Sequence, residues 1–192
     1  MKNAAHTPLE TPTRSIGGLI GGEAKKTYDF SQTDSNLCGS FLSKAISYSM
    51  AVLEVNATMG LIVAAPTAGS AGVLPGVLLA LQEERNLSDE AICSAIVHAS
   101  AIGYILMRNA SVSGAEAGCQ AEVGAASAMA ASAVVEAMGG TPEMSLHAAS
   151  IALSNLLGMV CDPIAGLVEV PCVKRNAAGA MIAMSSADMA LA

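Results

Sequence analysis

Residues 113–140 read SGAEAGCQAEVGAASAMAASAVVEAMGG, and this stretch decides the fold class. Ser113 and Glu116 have the spacing of a capping box, in which a serine hydroxyl and a glutamate carboxylate satisfy each other's free backbone donors at a helix start. Gly139-Gly140 supplies the stop. The commonest residue between these signals is alanine, the best helix former, and its small side chain lets helix backbones approach closely. The stretch predicts a long helix, to about Met138, within a tightly packed helical domain.

The rest of the chain agrees. Its 192 residues are 53% apolar but only 3% aromatic, and 13% are charged against an average of about 25%. A core of Ala, Leu, Ile, Val and Met suits packed helices better than a sheet sandwich, which favours β-branched and aromatic residues. We therefore expect an all-α fold, a single compact domain with functional loops at helix termini. Leu42, Ile46, Met50 and Leu53 recur at helical spacing from Phe41 to Met59, with Gly60 as a stop. Pro75 opens a helix to Arg85, and Ser88 caps one to about Met107. Thr141 and Pro142 begin another, ending near Gly158. A last helix runs from about Val173 and is still in progress at Ala192, so the expected domain, residues 37–192, is incomplete at its C-terminus. Residues 1–36 mix Pro, Thr, Gly, Asp and Ser without sustained periodicity and predict a loosely ordered arm.

The net charge of −7 argues against a nucleic-acid partner, whose phosphates demand a basic surface. The first ten residues hold no apolar core of a signal peptide, and five cysteines without an export signal predict reduced thiols and a cytoplasmic location. Two stretches, 55–82 without charge and 91–107 with only a histidine, approach or exceed spanning length. The first is interrupted by Pro66, Gly69, Gly72, Pro75 and Gly76, and the second is rich in Ala and Ser. We expect no membrane span.

Three segments can carry chemistry. Residues 65–76, a small-residue loop feeding a helix start, are either a tight interhelix turn or an anion cradle built on backbone N–H groups. The sequence lacks a Walker ending, so nucleotide binding is not supported. Cys119, Cys161 and Cys172 follow no Cys-x-x-Cys spacing, and buried free cysteine is common. Their position favours function: Cys119 falls in the second turn of a capped helix, while Cys161 and Cys172 are each bracketed by Pro and Gly. Cys38, in the polar arm, and Cys93, within a helix, read as non-ligands. The third segment, 108–113, is either capping chemistry or a polar patch. Lys174-Arg175-Asn176 is either a solvated face or a guanidinium presented to a carboxylate. His6, His98 and His147 attach to none of these.

At these motifs a resemblance emerges. Residues 66–76 (PTAGSAGVLPG), 109–124 (NASVSGAEAGCQAEVG), and Cys161-Asp162-Pro163 through Cys172-Val173-Lys174-Arg175-Asn176 closely resemble the α chain of bacterial iron-sulfur-dependent L-serine dehydratases, from about Gly17 to the last residue. The resemblance implies a four-iron, four-sulfur (4Fe-4S) cluster held by Cys119, Cys161 and Cys172, with one iron open to substrate. It implies conversion of L-serine to pyruvate and ammonia, an oligomeric assembly, and a β chain or fused β domain as partner.

On that basis the substrate carboxylate is assigned to the loop of Thr67, Ala68, Gly69 and Ser70, with Asn109, Ser111 and Arg175 as further polar contacts. The base stays unassigned: Lys174 would need a lowered pKa, Glu116 is committed to capping, Glu122 lies along the helix below Cys119, and the β partner could supply it. Family members continue to a Gly-rich tail, so this chain alone is expected to turn over slowly or not at all. The rival readings are a cluster enzyme acting on another β-substituted amino acid such as L-cysteine, and a non-catalytic helical or membrane-associated module.

Overall fold

The computed structural model describes all 192 residues and contains eight α-helices and no strand beyond one isolated bridge. These are α1 (Lys2–Glu10), α2 (Glu23–Ser31), α3 (Gly39–Ala57), α4 (Val73–Arg85), α5 (Asp89–Asn109), α6 (Gly114–Ala137), α7 (Pro142–Ser154) and α8 (Glu169–Leu191). The all-α expectation holds.

Two helices organise the packing. α3 carries α1 and α2 on one side of the molecule, and α6 carries α5 and α7 on the other. α4 and α8 lie between, each touching both α3 and α6. The alanines explain the closeness: Ala125, Ala126, Ala128, Ala130, Ala131 and Ala133 of α6 are all buried. Where α4 crosses α3 the approach is closer still. A Cβ on Gly76 would lie 2.0 Å from Ser49 Oγ and 2.8 Å from the Ala45 carbonyl oxygen, so only glycine fits. Ser88 and Thr141 cap α5 and α7 as expected, accepting from Ala91 N and Met144 N, both at 3.2 Å.

The arm expected over residues 1–36 is instead structured. α1 and α2 bury Ala4, Ala5, Leu9 and Ala24 against α3. The start of α2 is docked by Glu54, 1% exposed, whose carboxylate accepts from Gly22 N at 3.3 Å and Ala24 N at 2.8 Å. Burial pushes the Glu54 pKa up, and the two N–H donors oppose the shift. Nine-residue helices present too few apolar positions for a period to show, which is why the sequence reading passed over them.

Other boundaries also move. α4 starts at Val73 rather than Pro75, and α8 starts at Glu169 rather than Val173. Both place a proline in a first helical turn, where its missing N–H has no intrahelical partner to lose. α7 stops at Ser154, four residues early. The uncharged 55–82 stretch is no single element, because it spans the end of α3, a loop and α4. α5 is long and apolar enough to cross a membrane by length and composition alone; here it packs on α6.

Candidate active site

The site forms where the loop before α4, the start of α6, the segment before α8 and the first turns of α8 meet. Its pivot is Gly118, with φ +75° and ψ −177°, which breaks α6 near its start. A Cβ there would lie 3.1 Å from the Met159 carbonyl oxygen and 3.2 Å from Val160 Cα. Both the left-handed φ and the close approach require glycine. Past the break Gln120 N donates to Met159 O at 2.7 Å, and Gln120 Oε1 accepts from Gly158 N at 2.8 Å. The 158–160 backbone is thereby held against the start of the regular part of α6.

The expected capping box does not form. Ser113 makes no side-chain cap bond, and Glu116 accepts instead from Ser111 Oγ. With the chain turning at Gly118, only a single turn follows Ser113, and the two residues face no long helix to cap.

Cys119 follows the break and is buried. Its thiol accepts from Arg175 Nη1 at 3.0 Å, and the same nitrogen donates to Val160 O at 2.8 Å. Arg175 Nη2 lies 3.6 Å from the Asp162 carboxylate. Burial raises the Cys119 pKa, while the Arg175 guanidinium pulls it down. Cys172 sits within the first turn of α8, not on a loop as expected, and is half-buried. Its pKa is pushed up to about 12, first by burial and then by the negative charges of Cys119, Glu122 and Cys161. Cys161 is exposed on the preceding segment. Gly118, beside Cys119, lies against the backbone of Val160 and Cys161, and Arg175 of α8 reaches Cys119, so the elements carrying the three thiols meet here, though no three His, Cys, Asp or Glu side chains gather round a single ion. Cys38 and Cys93 lie elsewhere, Cys38 on an apolar groove beside the end of α8 and Cys93 on the exposed side of α5.

The loop before α4 is locked rather than open. Ala71 N and Val73 N bond within the loop, and Gly72 N donates to Asn176 Oδ1 at 3.0 Å. Asn176, fully buried on α8, also donates to Gly69 O and Cys172 O, each at 2.8 Å. Thr67 Oγ1 donates to Glu122 Oε1 and lies 3.0 Å from Ser70 Oγ. A Cβ on Gly69 would come within 2.6 Å of Glu122 Oε1. A carboxylate therefore occupies the ground beside the loop assigned to an incoming anion, so the loop's surroundings have the opposite sign from an anion cradle.

Of the residues read from sequence, Thr67 and Ser70 are joined to Glu122, Gly69 and Cys172 are joined through Asn176, and Arg175 is bonded to Cys119, with Cys161 at the margin. Ala68 is exposed at the loop tip. Asn109 and Ser111 are not joined to them: Asn109 donates to Ile105 O in its own helix at 2.8 Å, and Ser111 serves Glu116. Lys174 is exposed. Glu122 and Asn176 went unassigned by sequence reasoning. Both stand inside the motifs that carry the resemblance, and this was the available signal.

The family model described as "Serine dehydratase alpha chain" matches residues 1–192. The chain belongs to the serine dehydratase alpha chain family. It is 54% identical over its whole length to the "Probable L-serine dehydratase, alpha chain" of Bacillus subtilis, covering 64% of that protein. Over 91% of its length it is 51% identical to the "L-serine dehydratase, alpha chain" of Peptoniphilus asaccharolyticus, covering 60% of it. An L-serine dehydratase of Escherichia coli is 44% identical over 75% of the chain, which spans only 32% of that longer protein.

Proposed function

We propose that this chain is the catalytic part of an iron-sulfur-dependent L-serine dehydratase, an L-serine ammonia-lyase acting with a β chain or β domain. The single observation carrying the reading is the contact between the elements that bear Cys119, Cys161 and Cys172, with an arginine of α8 bonded to the Cys119 thiol. A single ion would need three sulfurs at one point. A four-iron cluster takes thiolates at separate corners, so a donor set that couples without converging on one ion suits it.

When bound, a 4Fe-4S cluster with three protein thiolates supplies an open Lewis-acidic iron for the serine β-hydroxyl. The chain's own residues do the remainder. Cys119, Cys161 and Cys172 would hold the cluster as thiolates, and burial of Cys119 would keep water from its side of it. Arg175 faces Cys119 and Val160 through Nη1 and Asp162 through Nη2, which leaves its Nε proton for the substrate carboxylate. Thr67 and Ser70 form a polar wall. Net reaction removes the α-proton and the β-hydroxide, leaving an enamine that tautomerises and takes up water to give pyruvate and ammonia. Five free thiols suit a reducing compartment such as the cytoplasm.

Anaerobic reconstitution with iron and sulfide, in the presence of the β partner, should yield a brown protein that forms pyruvate from L-serine, and Cys161→Ala should abolish both colour and turnover. Faster loss of sulfide from L-cysteine than of water from L-serine would move the substrate assignment. A colourless, inactive wild type would reject the reading.

A further inference from the structure

Glu122 is a carboxylate beside the site thiols that no cation answers. The ion pairs of the molecule involve Asp29, Glu83, Asp89, Glu136, Glu143 and Asp162, and none reaches Glu122. Arg175, the only cation bonded to a site thiol, pairs with Asp162. Glu122 is half-buried, and its Oε1 is fixed by Thr67 Oγ1. Its Oε2 receives no hydrogen bond, although an ionised carboxylate offers about four lone-pair sites. Glycines flank it: a Cβ on Gly69 would lie 2.6 Å from Oε1, and one on Gly114 2.5 Å from Oε2. Two backbones thus press on the carboxylate and one hydroxyl orients it, which fixes its position for a ligand without neutralising it.

The sign of the charge decides what the ligand presents there. A substrate carboxylate against Thr67 would face the Glu122 charge at close range, whereas an ammonium would be drawn to it. An α-amino acid carries both charges, and the site offers Glu122 for one and Arg175 for the other. We propose that Glu122 receives the α-ammonium of the substrate, with Thr67 aiming the carboxylate, and so restricts the site to α-amino acids. The inference rests on the serine dehydratase reading and reverses the polarity that the sequence assigned to the Thr67 loop.

The test uses the cluster-loaded enzyme with its β partner, in wild-type and Glu122→Gln forms matched for iron and sulfide content. Two unreactive probes, L-alanine and propanoate, differ only by the ammonium, and calorimetric titration compares them. Wild type should bind L-alanine at least about tenfold more tightly, and Glu122→Gln should weaken L-alanine by about 10- to 100-fold while shifting propanoate by less than about threefold. KM for L-serine should rise by the same factor, with a smaller change in kcat. Equal weakening of both probes, or a fall in kcat at unchanged KM, would overturn the proposal, the latter pointing to a base. Should Glu122→Gln fail to assemble, Thr67→Val removes only the aiming hydroxyl. It should weaken L-alanine about three- to tenfold and leave propanoate unchanged; an unaltered preference would refute the idea. A wild type that makes no pyruvate from serine rejects the dehydratase reading instead, which keeps the two failures apart.

Discussion

Two connections deliver residues to the site, and they are built on opposite plans. The loop of residues 64–72, before α4, is buried at Ala65 and from Ser70 onward, and its Gly69 and Gly72 backbones are both bonded to the fully buried Asn176. The segment of residues 160–168, before α8, is exposed throughout and is tied mainly at its start, by Arg175 to Val160 and Asp162 and by Gln120 to the backbone just before it. Local stability follows buried apolar contact and protected hydrogen bonds, so one wall of the site is rigid and the other is held by a few side chains. Glu122 and Cys172 stand on the rigid side, and Cys161 on the soft one.

The rigid wall is broken most severely at Asn176. Asn176→Ala removes three hydrogen bonds, leaving the buried Gly72 N without an acceptor and the part-buried Gly69 and Cys172 carbonyls without that donor. The expected loss is about 3 to 5 kcal/mol in urea or thermal unfolding, and amide protection at Gly72 should disappear with it. A change below about 1 kcal/mol would mean that the loop keeps its shape without the asparagine. Gly72→Ala attacks the same wall by crowding. Its Cβ would sit 2.2 Å from the Ser49 carbonyl oxygen and 2.7 Å from Leu53 Cδ2. Because the first of these is helix backbone and cannot swing aside, a loss of about 2 to 3 kcal/mol is expected.

The soft wall should answer differently. Arg175→Met takes the guanidinium from Cys119, Val160 and Asp162 but leaves the core intact. Global stability should fall by less than about 1 kcal/mol, while amide exchange over residues 159–163 speeds up about tenfold. Equal effects on residues 64–72 would show that the two walls are mechanically one.

This division also marks what could be read without coordinates. α5 and α7 were legible because their caps are local: Ser88 and Thr141 accept from residues three positions on. The break at Gly118 was not, since its left-handed backbone answers to Met159 and Val160, some forty residues away. The capping-box spacing at Ser113 and Glu116 was present and still misled, because local preference yielded to that distant contact. The thiols could be singled out by type and motif. Glu122 and Asn176 could not be given roles, since an acidic or amide residue in a helix acquires meaning only from what stands opposite, here Thr67, Gly69 and Gly72.

The smallest effect expected lies where the soft wall joins α8. Glu169 begins that helix, and its carboxylate accepts from Ser15 Oγ at 2.6 Å and Gly17 N at 2.7 Å, tying the chain between α1 and α2 to the helix start. Gly17 lies against Leu167 as well, so the same contact steadies the end of the exposed segment. The Ser15 hydrogen bond is the main cause holding the Glu169 pKa below the usual carboxylate value of 4.5, with the Gly17 N–H adding to it. A depressed acid contributes stability that is present above its unfolded pKa and lost as pH falls through the folded one. Lowering the pH from 6 to below about 4.5 should therefore lower the protection of the Gly17 amide relative to its intrinsic exchange rate, and later loosen residues 164–168, before the loop at 64–72 responds. Glu169→Gln should flatten that pH dependence, with the tether already slack at neutral pH and little change in melting temperature. If acid instead releases both walls at the same pH, the tether at Glu169 is not what separates them, and the contrast between the two connections must come from their own sequences alone.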